Sequence, residues 1–184
     1  MLTATSYRDV KVIDIAREAG TSPATFYQYF PDVEAAILVL AEQMAHESRL
    51  AGLAHDSVWR GKAGFETALR LVDGFLDFWE ENRPILRVVD LATDEGDIRF
   101  RQIRVRLLAE VTDALAEVIR HFQDEGRHPA DVDSRATAGA LVSMLAHVAA
   151  HRYGFEFWGI RTAHLRLSMG RMIFWSVTGQ KPPS

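Results

Sequence analysis

Residues 12–37 read VIDIAREAGTSPATFYQYFPDVEAAI, and the order of punctuation in this stretch decides the fold class. Ile13, Ile15, Ala16 and Ala19 fall at helical spacing before Gly20, the residue that closes a helix in the left-handed conformation at least cost. Ser22-Pro23 then offers a cap for the orphan N–H groups of a new helix, and a first-turn residue that needs no N–H of its own. That second helix, Pro23 to Phe30, is about two turns long and carries Thr25, Tyr27, Gln28 and Tyr29. Pro31 breaks it, and Asp32 can cap a longer helix starting near Val33. A helix, a glycine turn and a short polar-aromatic helix make a helix-turn-helix pattern, whose second helix is shaped to enter the DNA major groove.

The run IAREAGTSPATFYQYFPDVEAAI closely resembles the DNA-binding signature of the TetR family of bacterial transcriptional repressors. The resemblance rests on Ile15, Ala16, Ala19, Gly20, Ser22, Thr25, Phe26, Tyr27, Tyr29, Phe30 and Glu34, all at the family's spacing. It covers about the first quarter of the chain. By this resemblance Pro23, Ala24, Thr25 and Gln28 face base edges, with Ser22 at the N-cap beside them. Gln suits adenine's donor-acceptor pair, and the Thr methyl can touch thymine. Lys11, Tyr27 and Tyr29 would contact phosphates, which position a protein without reading sequence.

Two departures shape the expectation. Val33 stands where the family usually has a phosphate-touching lysine. Family members also carry a whole helix and a basic arm before the tyrosine matching Tyr7, whereas Leu2-Thr3-Ala4-Thr5 resembles only the tail of such a helix. A missing helix of that kind would withhold on the order of 6–12 kcal/mol of apolar burial, against a domain stability of about 5–15 kcal/mol. The DNA-binding unit is therefore expected to be truncated, with weak DNA binding by the chain as it stands.

Charge points the same way. The chain has 184 residues, of which 48% are hydrophobic and 25% charged, with a net charge of −4. That composition is ordinary for a soluble globular protein and argues against indiscriminate nucleic-acid binding. In the first 45 residues Arg8, Lys11 and Arg17 face Asp9, Asp14, Glu18, Asp32, Glu34 and Glu42, so phosphate attraction is weak there. The absence of cysteine excludes disulfides, thiol nucleophiles and thiolate metal sites. No apolar run reaches the ~18 residues of a membrane span, and no signal-peptide pattern opens the chain. A cytoplasmic protein with no membrane association is expected.

Beyond Asp32 the chain reads as further helices. The first carries Val33, Ile37, Leu40, Ala41 and Met44 on one stripe and runs to about Leu53. A loop, AHDSVWRGKAG, precedes an amphipathic helix bearing Phe65, Ala68, Leu69, Val72, Phe75, Leu76 and Trp79. Pro84 opens a short helix, PILRVVDLATDE, that gives way at Gly96. The longest pattern runs from about Asp97 to Glu125. Asp133 or Ser134 caps ATAGALVSMLAHVAAHR, an aromatic connection YGFEFWG follows, and a last helix spans Thr162 to Val177 before a disordered tail, GQKPPS. The expected fold is all-α with roughly eight helices: a helix-turn-helix region over 1–50 and a helical effector-binding and dimerisation domain over 51–184.

Two further constellations bear on function. The aromatic residues Phe65, Phe75, Trp79, Phe155, Phe157 and Trp158 could be core or could line a ligand cavity. Repressors of this type sense apolar molecules between such helices, so a pocket is expected among Phe75, Trp79, Leu107, Val111, Met144, His147 and Trp158. His147 and His151 lie on neighbouring turns of one helix, but no third ligand accompanies them, so neither metal nor cofactor is expected. Small residues Ala136, Gly139, Ala140, Ser143 and Ala150, with Leu167, Gly170, Phe174 and Trp175 on the last helix, make an apolar surface that packs either within one subunit or against a second, and the family resemblance implies a two-fold four-helix bundle of these helices. Of these, Ala136, Ala140, Ser143, Leu167, Gly170 and Phe174 are the expected contacts.

No G-x-S-x-G motif, phosphate loop or other catalytic arrangement is visible, so an enzyme is not expected. The expected function is a homodimeric, ligand-responsive regulator, a repressor of near-palindromic operators whose effector is an apolar small molecule. The alternative is a dimeric helical small-molecule-binding protein that has lost DNA binding.

Overall fold

The computed structural model describes residues 7–55 and 57–183. Among the described residues a single 3-10 turn, Tyr7–Asp9, precedes nine α-helices, and there is no strand. The helices are α1 (Val12–Glu18), α2 (Pro23–Tyr29), α3 (Val33–Glu47), α4 (Gly52–His55), α5 (Gly61–Glu81), α6 (Arg83–Asp94), α7 (Ile98–Asp124), α8 (Ser134–Phe157) and α9 (Thr162–Thr178). The fold is all-α. Leu2 to Thr5, read above as the tail of a helix, lie outside the described residues.

Local chemistry sets the boundaries. Gly20 takes φ +66°, and the Thr21 N–H closes back on the Ala16 carbonyl at 2.8 Å. The Ser22 hydroxyl accepts from the Thr25 N–H at 3.1 Å, and the Asp32 carboxylate accepts from Ala35 at 2.7 Å. Asp133 caps α8 in the same way, accepting from Ala136 at 2.7 Å.

Four expectations differ from the structure. The long helix ends at Glu47 rather than near Leu53, and the chain turns so that Leu50 and Ala54 are buried. A separate short helix, α4, spans the expected junction of that helix and the loop, and the Trp59 indole N–H donates to the Ala54 carbonyl at 3.1 Å. The aromatic segment Tyr153–Phe157 forms the last turns of α8, not a connection, because nothing breaks the helix before Gly159 at φ +80°. The tail is packed as far as it is described: Gln180 is half-buried, and its N–H donates to the Thr178 hydroxyl at 3.1 Å.

The chain divides into two compact units, Met1–Glu47 with Asn82–Arg106, and Ser48–Glu81 with Leu107–Ser184. The first therefore includes α6 and the start of α7 as well as the helix-turn-helix, where a single cut after residue 50 was expected. The reason is a shared core: Ile37 and Ala41 of α3 pack with Val88, Val89 and Ala92 of α6 and with Phe100 and Ile103 of α7. Surface ion pairs accompany this core. Arg99 reaches Glu34 at 2.7 Å and Asp97 at 2.6 Å, and Arg104 reaches Asp90 at 3.1 Å. Hydrogen bonds from Arg99 hold the Asp97 carboxyl well below the usual carboxylate range, while burial pushes Glu34 up.

In the second unit α5 packs against both α8 and α9, and α4 packs against α5. Leu71, Val72 and Phe75 of α5 are fully buried. Several glycines of this unit allow close approaches, Gly64 and Gly170 among them. A Cβ on Gly64 would lie 2.3 Å from the Trp59 carbonyl carbon, and one on Gly170 would lie 2.5 Å from a Leu69 methyl. Phe174 meets Phe65 edge to face with centroids 6.0 Å apart, and Arg166 of α9 pairs with Asp73 of α5 at 2.6 Å.

Candidate nucleic-acid interface

The surface of α2 is built around one inward residue. Phe26 is buried at 7% exposure, against Phe30 with centroids 5.4 Å apart and edge-on to Tyr27 at 5.7 Å. On seven residues a single anchor leaves the rest of the helix outward. Ser22, Pro23, Ala24 and Gln28 are exposed, and Thr25 is half-buried with its hydroxyl 2.9 Å from that of Ser22. Tyr27 and Tyr29 stand 58% and 75% exposed. The Gln28 side chain makes no hydrogen bond among the described residues, so its amide keeps both donor and acceptor for an outside partner.

The electrostatics of this face are lean. Arg17 is engaged by Asp14 at 2.8 Å, and Arg8 by Glu95. Lys11, exposed at the N-cap of α1, is the one cation of residues 7–47 without an ion-pair partner among the described residues. Its ammonium and the two tyrosine hydroxyls can meet phosphate oxygens, while Gln28, Ala24 and Pro23 present the part of α2 suited to base edges.

The residues expected to form an effector pocket do not share one environment. Phe75 stacks on Trp79 with centroids 5.6 Å apart at 13°, and both are buried with Leu107 and Val111. Met144 is half-buried. His147 and Trp158 face outward, Trp158 at 72% exposure, and so do not line a buried pocket with the others. His147 shares the outer stripe of α8 with Ser143, and Trp158 follows the helix end. One buried polar atom stands out: the Trp79 indole N–H has no acceptor among the described residues. A separate cavity of about 520 Å³ opens among the end of α4, the connection from α4 to α5 and the C-terminal half of α7, with Trp59 and Phe122 in its wall and His55, Arg60, Glu117 and His121 around them.

The expected dimer contacts also divide. Ala136, Ala140 and Ser143 are exposed along α8, and Leu167 is 38% exposed on α9. Gly170 and Phe174 are instead buried against α5 of their own chain, Gly170 by its close approach to Leu69 and Phe174 by its contact with Phe65. The outward face of α9 is Ser168, Arg171, Met172 and Trp175, with Met172 51% and Trp175 63% exposed. Met172 was not anticipated from sequence. Once Met169, Ile173 and Val177 are known to point inward, helical spacing puts it outside.

Comparison with known proteins accords with this architecture. The pattern described as Tetracyclin repressor-like, C-terminal domain, matches residues 50–184, and that of the Bacterial regulatory proteins, tetR family, matches residues 1–38. An uncharacterized HTH-type transcriptional regulator of Haemophilus influenzae is 26% identical over 141 residues, covering 73% of this chain and 68% of its own length. The fatty acid degradation regulator FadR from Bacillus halodurans matches in fold with a TM-score of 0.65 at 15% identity, over 99% of this chain and 91% of that one. With a helix-turn-helix whose second helix is N-capped and exposed, and family patterns matching residues 1–38 and 50–184, this chain belongs to the TetR family of bacterial DNA-binding transcriptional regulators.

Proposed function

We propose that the chain acts as a homodimeric, effector-responsive repressor. Two copies of α2 enter successive major grooves of a near-palindromic operator, and an apolar effector changes their spacing. The observation that carries this reading is α2 itself: Phe26 holds the helix while Pro23, Ala24, Tyr27, Gln28 and Tyr29 stand in the open, presented to an outside partner. Dimerisation is supported by the exposed α8 stripe of Ala136, Ala140 and Ser143 beside Leu167, Met172 and Trp175, an apolar surface of the kind that a second copy covers. The effector site is assigned to the buried aromatic pair Phe75 and Trp79 with Leu107, Val111 and Met144. The indole N–H without an acceptor supports a mainly apolar ligand bearing one hydrogen-bond acceptor.

The lean charge of the first unit favours a second reading, a dimeric ligand-binding protein without DNA binding. One experiment separates them. An operator is selected from random duplexes with the full chain, and binding is measured on it and on unrelated DNA. Gln28→Ala is expected to cost about 1–3 kcal/mol on the selected site with little change on unrelated DNA. Equal losses on both would make Gln28 a backbone contact, and failure to select any sequence would favour the second reading.

A further inference from the structure

We infer that His147 and His151 form half of a divalent d-block metal site that a second copy of the chain completes across the outer face of α8, so that the ion strengthens the dimer. This rests on the dimer reading above. The two histidines sit one turn apart, both exposed, and continue the stripe of Ala136, Ala140 and Ser143. Their rings lie nearly parallel, with centroids 4.3 Å apart at 24°. His151 Nδ1 lies 2.9 Å from the His147 carbonyl oxygen. A carbonyl only accepts, so in the neutral ring it is Nδ1 that carries the proton and Nε2 that keeps a lone pair. That is the arrangement of a metal-ligating imidazole, whose other N–H is held by a carbonyl or carboxylate that fixes the tautomer and raises the basicity of the ligating nitrogen.

The spacing suits one ion. Zinc–nitrogen bonds of about 2.0–2.1 Å in a tetrahedron put two ligating nitrogens roughly 3.3 Å apart. Imidazole nitrogens bind in their ring planes, so the stacked rings must turn about their side-chain bonds until both lone pairs converge on the ion, which exposed histidines at i and i+4 of one helix can do. Among the described residues no third histidine or carboxylate joins the pair within one chain. Two ligands leave a tetrahedral ion open on the side facing away from the helix, which is the side a symmetric partner occupies. In a two-fold interface every residue is presented twice, so the pair becomes four imidazoles. The small side chains of Ala136, Ala140 and Ser143 allow the two helices the close approach this requires. Binding exchanges waters on the hydrated ion for neutral imidazole nitrogens, with no redox step and no covalent bond formed in the protein.

The test uses the full chain, Zn²⁺ as the sulfate, and EDTA as the metal-free reference. Sedimentation measures the dimer dissociation constant and calorimetry the zinc stoichiometry, for wild type, His147→Ala, His151→Ala and the control His164→Ala. The expected result is one zinc per two chains. Dimerisation should tighten roughly tenfold when free zinc stands at about ten times its own dissociation constant. The effect should vanish in His147→Ala and His151→Ala and persist in His164→Ala. A dimer in EDTA whose constant does not move with zinc overturns the site while leaving the dimer intact. So does a zinc effect that survives both substitutions, or binding of one zinc per chain without tighter association. A chain that stays monomeric with and without zinc overturns the dimer reading, and the bridge with it.

Discussion

Replacing Phe174 and Trp175 one at a time separates packing within a chain from packing between chains. Phe174 is 1% exposed, against Phe65, so Phe174→Ala empties part of the core of its own subunit. Such truncations cost about 3–5 kcal/mol, and at ~2–4 °C per kcal/mol for chains of this size the melting temperature should fall by roughly 6–20 °C at every protein concentration. Trp175 is the opposite case. A tryptophan can bury about 150–250 Å², and with 63% of its surface open roughly 95–160 Å² remains for a partner. At ~25 cal/mol/Å² that area is worth about 2.4–4 kcal/mol per copy, doubled across a two-fold interface. Ordering costs and incomplete burial retain only part of it, so Trp175→Ala should raise the dimer dissociation constant by about a hundredfold or more, equivalent to ~2.7 kcal/mol. Helicity should be unchanged. Sedimentation across a concentration series and thermal circular dichroism read the two effects separately. A Trp175→Ala dimer as tight as wild type would refute the assignment of the outward face. So would a Phe174→Ala chain that dissociates without losing thermal stability.

Two other perturbations probe the units singly. Gly64→Ala places a Cβ against the Trp59 backbone, which cannot swing aside as a side chain would. The variant should lose about 1–3 kcal/mol to overpacking, outweighing a helix-propensity gain of ~1 kcal/mol, as a lower urea midpoint; a higher midpoint would contradict the close approach. Asp97 titrates below its unfolded value because Arg99 bonds its ionised form. Its contribution is therefore present above roughly pH 4, the unfolded carboxylate range, and disappears as pH falls through the depressed folded value. Asp97→Ala should flatten the acid limb of a stability-versus-pH curve, and an unchanged limb would place the acid sensitivity elsewhere.

The helix-turn-helix was legible because its signals are local. A glycine that must take positive φ, a serine two residues later and a proline behind it specify their own geometry whatever packs around them. The buried part of α5 was legible for a related reason, since its apolar residues keep to one face. The last two helices were not. Both are apolar nearly all round, so periodicity cannot say which side faces α5, and Phe174 was turned outward when it belongs inside. His147 and Trp158 were drawn into a pocket by residue type alone, although their place on α8 and beyond its end turns them to the surface. The join of α3 to α6 and α7 escaped for another reason. Long-range packing among Ile37, Val89 and Phe100 leaves no mark in any one window of sequence.

The turn between α7 and α8 is tied down in a way that changes what it can tolerate. His128 Nε2 donates to the Ser176 carbonyl at 2.9 Å, and Gly179, at φ +67°, sits so close that a Cβ there would meet the Arg127 carbonyl oxygen at 2.4 Å. Gln123 adds bonds to the Val132 carbonyl at 2.7 Å and to that of Pro129 at 2.9 Å. A glycine- and proline-bearing surface turn is ordinarily where a chain accepts insertions, labels or protease cuts. Here the turn and the end of α9 hold each other, so they open to solvent as one cooperative segment. Amides of residues 126–128, 130–132 and 176–180 should exchange at a common rate, and a peptide tag inserted after Gly126 should loosen the C-terminal end of α9, some fifty residues further along the chain.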